Sequence, residues 1–171
     1  MNLELRTVVH SMNKLDMIRR IHMAKAAGEC GLYFGQLPIL EYVEENDMCT
    51  QCSVAERMQV TAPSIATSVK RMQKTGLLEK SADDNDLRYN RLSITQKGRE
   101  TARKCRASFN KINETLFMGF TKEEIEALYG YIQRMSNNMT DEELKGKTFF
   151  ALAQKEKEIN RKEKKEDIFN D

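Results

Sequence analysis

The stretch that decides the fold runs from Thr50 to Thr95. It reads TQCSVAERMQVTAPSIATSVKRMQKTG over residues 50–76 and LLEKSADDNDLRYNRLSIT over residues 77–95. Thr50 and Thr61 have the side chain preferred at helix N-caps, and Gly76 is the residue type that ends helices. The first half therefore predicts two short helices, over residues 51–58 and 62–75. The second half predicts two short strands around a polar, turn-rich segment.

The second of these helices has two unlike faces. Ile65, Val69 and Met72 recur at helical spacing and are predicted to face the core. The opposite face carries short polar side chains followed by basic ones: Ser64, Thr67, Ser68, Arg71 and Lys74. Short side chains let a helix approach base edges, and basic ones reach phosphates. A plain helical hairpin remains the alternative for the pair of helices, as an intramolecular ion pair does for Arg71.

The hairpin that follows would form a wing, with Asp86-Leu87-Arg88 at its tip. An arginine at this place suits the narrow, electronegative minor groove of duplex DNA. Asp86 would repel phosphate if it faced outward, so we expect it to bond wing backbone or to orient an arginine. An ordinary acidic turn is the alternative. Together the helices and the hairpin predict a winged helix-turn-helix that binds double-stranded DNA.

Long amphipathic helices are predicted on both sides of this unit. The fold class is mainly α with a small β-wing, and the terminal helices form a dimerisation layer. We expect an N-terminal dimerisation helix within residues 1–32 and a DNA-binding domain over 33–95, with its recognition helix at 62–75 and its wing at 77–95. C-terminal dimerisation helices then occupy 96–139. A charged extension, helical or disordered, covers 140–171.

Composition narrows the class of protein further. The chain has 171 residues and a net charge of only +2, yet residues 61–104 carry ten Lys and Arg against five Asp and Glu. A local basic surplus matters more for phosphate binding than the overall charge. No run is long enough to span a membrane, and the N-terminus lacks the apolar core of a signal peptide. We therefore expect a cytoplasmic protein, without a membrane partner, whose four cysteines are reduced.

The chain resembles the MarR (multiple antibiotic resistance regulator) family of transcriptional regulators over about residues 5–139. The resemblance rests on Gly35-Gln36-Leu37-Pro38-Ile39-Leu40, Ala55-Glu56-Arg57, Gly76-Leu77-Leu78-Glu79-Lys80, Asp86-Leu87-Arg88 and Leu92-Ser93-Ile94-Thr95-Gln96-Lys97-Gly98. It implies an obligate homodimer with interleaved terminal helices. It also implies that Ser64, Thr67 and Ser68 face the major groove and that Arg88 enters the minor groove. Two departures are Leu87, where a second arginine is frequent, and Thr67, where a larger basic residue is frequent.

The cysteines raise the question of regulation. Cys49 and Cys52 form a Cys-x-x-Cys at a helix N-terminus, where thiol pKa values fall. Cys30 lies just past the first helix, near the place where thiol-oxidation sensors of the family carry their reactive cysteine. Small apolar fillers are the favoured alternative for Cys49 and Cys52, and Cys105 is expected in the core. No metal site and no cofactor are predicted.

The resemblance also implies a small-molecule effector bound between the DNA-binding lobe and the dimer helices. Tyr33, Phe34 and Tyr42 are candidates to line that site, with ordinary packing as the favoured alternative.

The hypothesis is a homodimeric repressor that binds a palindromic operator and is released by a small-molecule or oxidative signal. No catalytic constellation is apparent, so we do not expect an enzyme. The alternatives are a winged-helix protein-interaction module without a specific DNA target and a thiol-redox protein that uses Cys49 and Cys52.

Overall fold

The computed structural model describes residues 4–33, 35–82 and 90–169, with side chains described as far as residue 160. Its elements, in chain order, are α1 (Leu5–Glu29), α2 (Leu37–Glu45), β1 (Cys49–Thr50), α3 (Gln51–Met58), α4 (Ala62–Lys74), β2 (Leu78–Ala82), β3 (Asn90–Ile94), α5 (Gln96–Leu116), α6 (Lys122–Met139) and α7 (Phe149–Phe169). This order confirms the predicted fold class.

Helices α3 and α4 form the predicted helix-turn-helix. Thr50 caps α3 through a reciprocal pair of bonds with Ser53: Thr50 Oγ1 accepts from Ser53 N at 3.0 Å, and Ser53 Oγ accepts from Thr50 N at 3.2 Å. Gln59 ends α3 in the left-handed conformation, with φ at 54°. Thr61 precedes α4 as predicted, but its hydroxyl bonds the Ser64 hydroxyl at 3.0 Å and not a backbone N–H. Thr61 is thus the N-cap residue of α4, but its side chain makes no capping bond to the backbone.

The three strands form one antiparallel sheet in the order β1-β3-β2. Cys49 of β1 pairs with Leu92 of β3, and the β2–β3 ladder runs from Leu78 opposite Ile94 to Ala82 opposite Asn90. The sequence predicts strands over residues 77–80 and 91–94, and both observed strands extend further toward the middle of the hairpin, to Ala82 and Asn90. Ser81 and Ala82 are polar or small and carry no strand signal of their own, but the ladder with β3 continues through them.

The core lies between the helix-turn-helix, the sheet and α5. Ile65, Val69 and Met72 of α4 are buried as their spacing predicted. They belong to one apolar cluster that also contains Leu40, Val43, Val54, Leu92, Ile94, Ala102 and Cys105. The polar face of α4 is consequently turned away from the core.

A close contact between the wing and α5 fixes their relative position. Thr95 Oγ1 donates to Gly76 O at 2.7 Å and accepts from Gly98 N at 3.0 Å. A Cβ atom at Gly98 would overlap the carbonyl oxygen of Leu77, so only glycine fits there. The start of β2 and the first turn of α5 are thereby locked together.

The long helices differ in what covers them. The sequence predicts that Gly28 and Gly31 end α1; the helix continues through Gly28 to Glu29, and the chain turns at Gly31, with φ at 74°. On α5, Cys105 is buried as expected, together with Ala102 and Phe109, and the helix packs against α1 and α2. Helix α6 buries none of its side chains, and the apolar residues of α1 from Leu5 to Ile21 are largely exposed.

The helix of the C-terminal extension begins later in the chain than the sequence pattern at Thr140 predicts. The sequence from Thr140 to Glu143 resembles a capping box, yet only one turn forms there, with Leu144 N donating to Asp141 Oδ1 at 2.9 Å. Thr140 Oγ1 instead donates to Ser136 O at 2.8 Å and stays bound to the end of α6. The following helix, α7, begins at Phe149, where Thr148 Oγ1 accepts from Ala151 N at 3.2 Å. None of the described helices is long and apolar enough to cross a membrane.

Candidate nucleic-acid interface

The polar face of α4 forms the centre of the candidate interface. Thr67, Arg71 and Lys74 are exposed, whereas Ser64 and Ser68 are partly buried. Thr67, Arg71 and Lys74 lie on the side of the helix away from Ile65, Val69 and Met72, whereas Ser64 and Ser68 flank that buried stripe. The structure therefore brings together the α4 residues that were predicted to meet a groove.

Thr67 is already engaged by its own helix. Its Oγ1 donates to the carbonyl oxygen of Pro63 at 3.0 Å. Pro63 stands in the first turn of α4. Since the hydroxyl proton is used inside the helix, Thr67 is left with lone pairs that accept hydrogen bonds and with a methyl group that makes apolar contacts.

Arg71 is held by an aromatic ring. Its guanidinium carbon lies 5.1 Å from the centroid of the Tyr33 ring, a cation–π geometry. The loop carrying Tyr33 is fixed in turn by the buried Gln36, whose Oε1 accepts from Tyr33 N at 2.9 Å. The alternative explanation of Arg71 was an intramolecular ion pair, and the contact that the structure shows is with an uncharged ring.

The wing tip is the part of the site that the structure does not cover. Asp86 and Arg88 lie outside the described residues, so their predicted roles stay predictions. The strands that lead to the tip are in place, and β2 exposes Lys80. On β3, Arg91 Nη1 donates to the carbonyl oxygen of Met48 at 3.5 Å and ties the base of the wing to the loop before β1.

The C-terminal segment, residues 140–160, lies beside α4. Thr148 N donates to Gln59 Oε1 at 2.8 Å, and Thr148 Oγ1 donates to Met58 O at 3.0 Å. Further along, Ser64 Oγ donates to Gln154 Oε1 at 3.2 Å. This explains why Ser64 is partly buried although it belongs to the polar face.

A cavity of about 650 Å³ separates the rest of α7 from α4. From one side it is lined by Tyr33, Thr67, Ser68 and Arg71, and from α7 by Gln154, Lys157 and Glu158.

Tyr33 thus faces α4 and α7, whereas Tyr42 packs against the core and Phe34 lies outside the described residues. Tyr33 and Tyr42, the two effector candidates among the described residues, therefore lie in different surroundings.

The four cysteines are free thiols in different surroundings. Cys49 is buried in β1, and burial raises the pKa of its thiol, which lowers its thiolate fraction at neutral pH. Cys52 is exposed on the first turn of α3, and Cys30 is partly buried beside the core. Burial, reinforced by the neighbouring Cys30 thiol, raises the pKa of Cys105 to about 12.

Comparison with known proteins agrees with this geometry. A model of the MarR family matches residues 31–88. The match confirms, over these residues, the resemblance to this family that the sequence predicted. A relative from Bacillus subtilis (strain 168), "Uncharacterized HTH-type transcriptional regulator YybA", is 27% identical over 139 residues, or 81% of this chain and 90% of the relative.

Solved structures share the MarR-type fold. The crystal structure of YusO from Bacillus subtilis superposes with a TM-score of 0.68 at 19% identity and covers 78% of this chain and 94% of its own. A complex of S. aureus MepR with DNA superposes with a TM-score of 0.64 at 16% identity and covers 80% of this chain and 99% of its own. At these identities the likeness establishes the fold.

Sequence reasoning missed the role of four residues at the site: Gln59, Thr148 and Gln154 were not identified, and Tyr33 was named only as an effector-site candidate. Three are polar residues whose partners lie far away in the chain, so no local spacing marks them. Thr148 did carry a signal, because a residue suited to N-caps precedes the apolar run Phe149-Phe150-Ala151-Leu152-Ala153. This pattern indicates that a helix begins after Thr148 and that one of its faces is buried, although the rest of the extension is charged.

Proposed function

We propose that this MarR-type protein is a sequence-specific DNA-binding transcriptional regulator, and specifically a repressor that binds a palindromic operator as a homodimer. The observation that carries the proposal is the exposed face of α4. Its short polar residues stand where base edges would be read, and its basic residues stand near the helix end where phosphates would lie. The DNA complex of MepR, a protein of the same fold, supports the same mode of binding.

Homodimerisation is supported by apolar surface that the chain leaves uncovered. On α1 it includes Leu5, Val9, Met12, Leu15 and Ile21, and on α6 it includes Ile125, Tyr129, Ile132 and Met135. Monomeric soluble proteins rarely expose contiguous apolar patches of this kind. A second copy of the chain would bury both helices and place two recognition helices about a two-fold axis.

Release from the operator by a signal is the remaining part of the proposal. A cavity of about 500 Å³ between α1 and α5 is lined by apolar residues, among them Ile18, Ile112 and Leu116, and by charged residues, among them Arg19, Lys25 and Glu29. A site of this size and character suits a small molecule. For an oxidative signal, Cys30 and Cys52 are the better-exposed thiols.

Genomic-fragment selection with the purified dimer, followed by footprinting, tests the proposal. Two-fold symmetry predicts an inverted repeat whose half-site centres lie about 10 bp apart, on one face of the duplex. Protection of both half-sites at saturation supports the proposal. Selection of no common fragment, or protection of one half-site only, would overturn it.

A further inference from the structure

The C-terminal segment occupies part of the surface that the proposed function assigns to DNA. It is anchored first at the turn between α3 and α4, where Thr148 bonds both Gln59 and Met58. Gln59 Nε2 also donates to Gly146 O at 3.4 Å. These bonds hold the start of α7 beside the N-terminal end of the recognition helix.

An aromatic anchor follows in the first turn of α7. Phe150 is partly buried against the core, and a Cβ at Gly35 would lie 3.5 Å from its Cε1. Phe149, its neighbour, is 51% exposed. The two rings meet edge to face, with centroids 6.0 Å apart, and the ring of Phe150 is the one that packs against the core.

The third anchor reaches the recognition face itself. Gln154 Nε2 donates to Glu158 Oε1 at 2.8 Å, which orients the amide so that its Oε1 accepts from Ser64. In this arrangement Ser64 donates its hydroxyl proton to Gln154 of the same chain. Lys157 and Glu158 line the same cavity as Arg71, so one positive and one negative side chain of α7 lie across the cavity from the basic part of α4.

We propose that the C-terminal segment competes with DNA for the recognition helix and must leave α4 before DNA can bind. The major groove of B-DNA is about 12 Å wide and admits one α-helix, so α4 cannot enter it while α7 is held beside α4, across the cavity between them. The observed affinity then equals that of the undocked form multiplied by the fraction of undocked molecules. The inference rests on the proposed DNA binding, and it adds a regulatory element that the winged domain alone lacks.

The test compares two full-length variants, Phe150→Ala and Phe149→Ala, with the wild type. The probe is a duplex of about 30 bp taken from the genomic fragment that the selection recovers, long enough for both half-sites. Phe150→Ala removes an anchor of α7, and we expect it to bind about ten-fold more tightly than the wild type. Phe149→Ala removes an exposed ring of the same size and should bind as the wild type does. Thermal melts of the three proteins establish that both variants are folded.

Hydrogen exchange of the wild-type protein supplies a measurement that needs no variant. Saturation with the same duplex should speed exchange of the amides in residues 149–160, because displaced α7 loses its packing. Unchanged affinity of Phe150→Ala together with unchanged exchange would overturn the inference and leave the proposed function standing. Weaker binding by Phe150→Ala would overturn it too, since α7 would then assist binding. If none of the three proteins binds duplex DNA, the proposed function fails, and the inference fails with it.

Discussion

Tyr33 gives Arg71 a defined position at the surface. An arginine side chain has many rotamers, and fixing it in one of them costs conformational entropy. Stacking on an exposed ring contributes about 0.5–1 kcal/mol, enough to favour one position. The guanidinium N–H groups lie in the plane of the group, so they remain able to bind phosphate while its face rests on the ring.

Arg88 and Thr67 should have separable effects on DNA binding. Arg88→Ala should leave thermal stability nearly unchanged, within about 0.5 kcal/mol, if Arg88 lies at the hairpin tip as the sequence predicts. It should weaken operator binding by about 1–3 kcal/mol and reduce the salt slope by about one unit. Thr67→Ala should change the preferred base and leave the salt slope nearly unchanged. Binding isotherms at several salt concentrations measure both.

An Arg88→Ala protein that binds as the wild type does but melts far earlier would contradict the wing interpretation. Arg88 would then be a structural residue.

The thiols should react in the order of their exposure. We expect Cys52 to react first with a disulfide reagent at neutral pH, because it is exposed on the first turn of α3. Cys49 and Cys105 should react slowly, since burial raises both thiol pKa values and restricts access. Mass spectrometry of timed, quenched samples gives the order. Modification of Cys105 ahead of Cys52 in the folded protein would show that the packing of α5 is wrong.

Local patterns predicted most of α4, and contacts distant in sequence account for what they missed. Ile65, Val69 and Met72 were identified because helical spacing alone places them on one face. The contact of Arg71 with Tyr33 and that of Ser64 with Gln154 depend on how distant segments meet, which no spacing records. The stripe on α5 shows a related limit, because periodicity indicates that a face is buried but not what covers it.

Gly98 connects the wing to α5 and should tolerate no larger residue. Gly98→Ala places a Cβ against the Leu77 carbonyl oxygen, well inside the distance at which the two atoms can touch. Backbone must shift to accommodate it, so we expect a loss of about 1–3 kcal/mol in the free energy of unfolding. Urea denaturation measures the loss.

Gly28→Ala is the matched control for that substitution. Nothing lies within 4 Å of a Cβ at Gly28, which is inside α1. Alanine is the better helix former, so this variant should be unchanged or up to about 1 kcal/mol more stable. Equal losses from the two substitutions would mean that the contact at Gly98 is not the cause.

Assembly should be governed by the uncovered faces of α1 and α6. We expect sedimentation equilibrium to show a dimer of the 19.8 kDa chain at micromolar concentration. Ile21 is 46% exposed on α1, and Ile21→Glu should weaken association about ten-fold or more by placing a charge in the apolar interface. Lys80→Glu on the wing serves as the control and should leave the dimer intact. A stable wild-type monomer would remove the basis for a palindromic site.

Duplex binding as a function of salt tests the central claim most directly. The selected genomic fragment and a scrambled duplex of equal length are each titrated with the full-length protein at several salt concentrations. Phosphate neutralisation predicts that log K falls linearly with log salt, by about 0.9 for each phosphate contacted. Sequence recognition predicts that the selected fragment binds about 1,000-fold or more tightly than the scrambled one. Binding that is independent of salt, or equal for the two duplexes, would contradict the account.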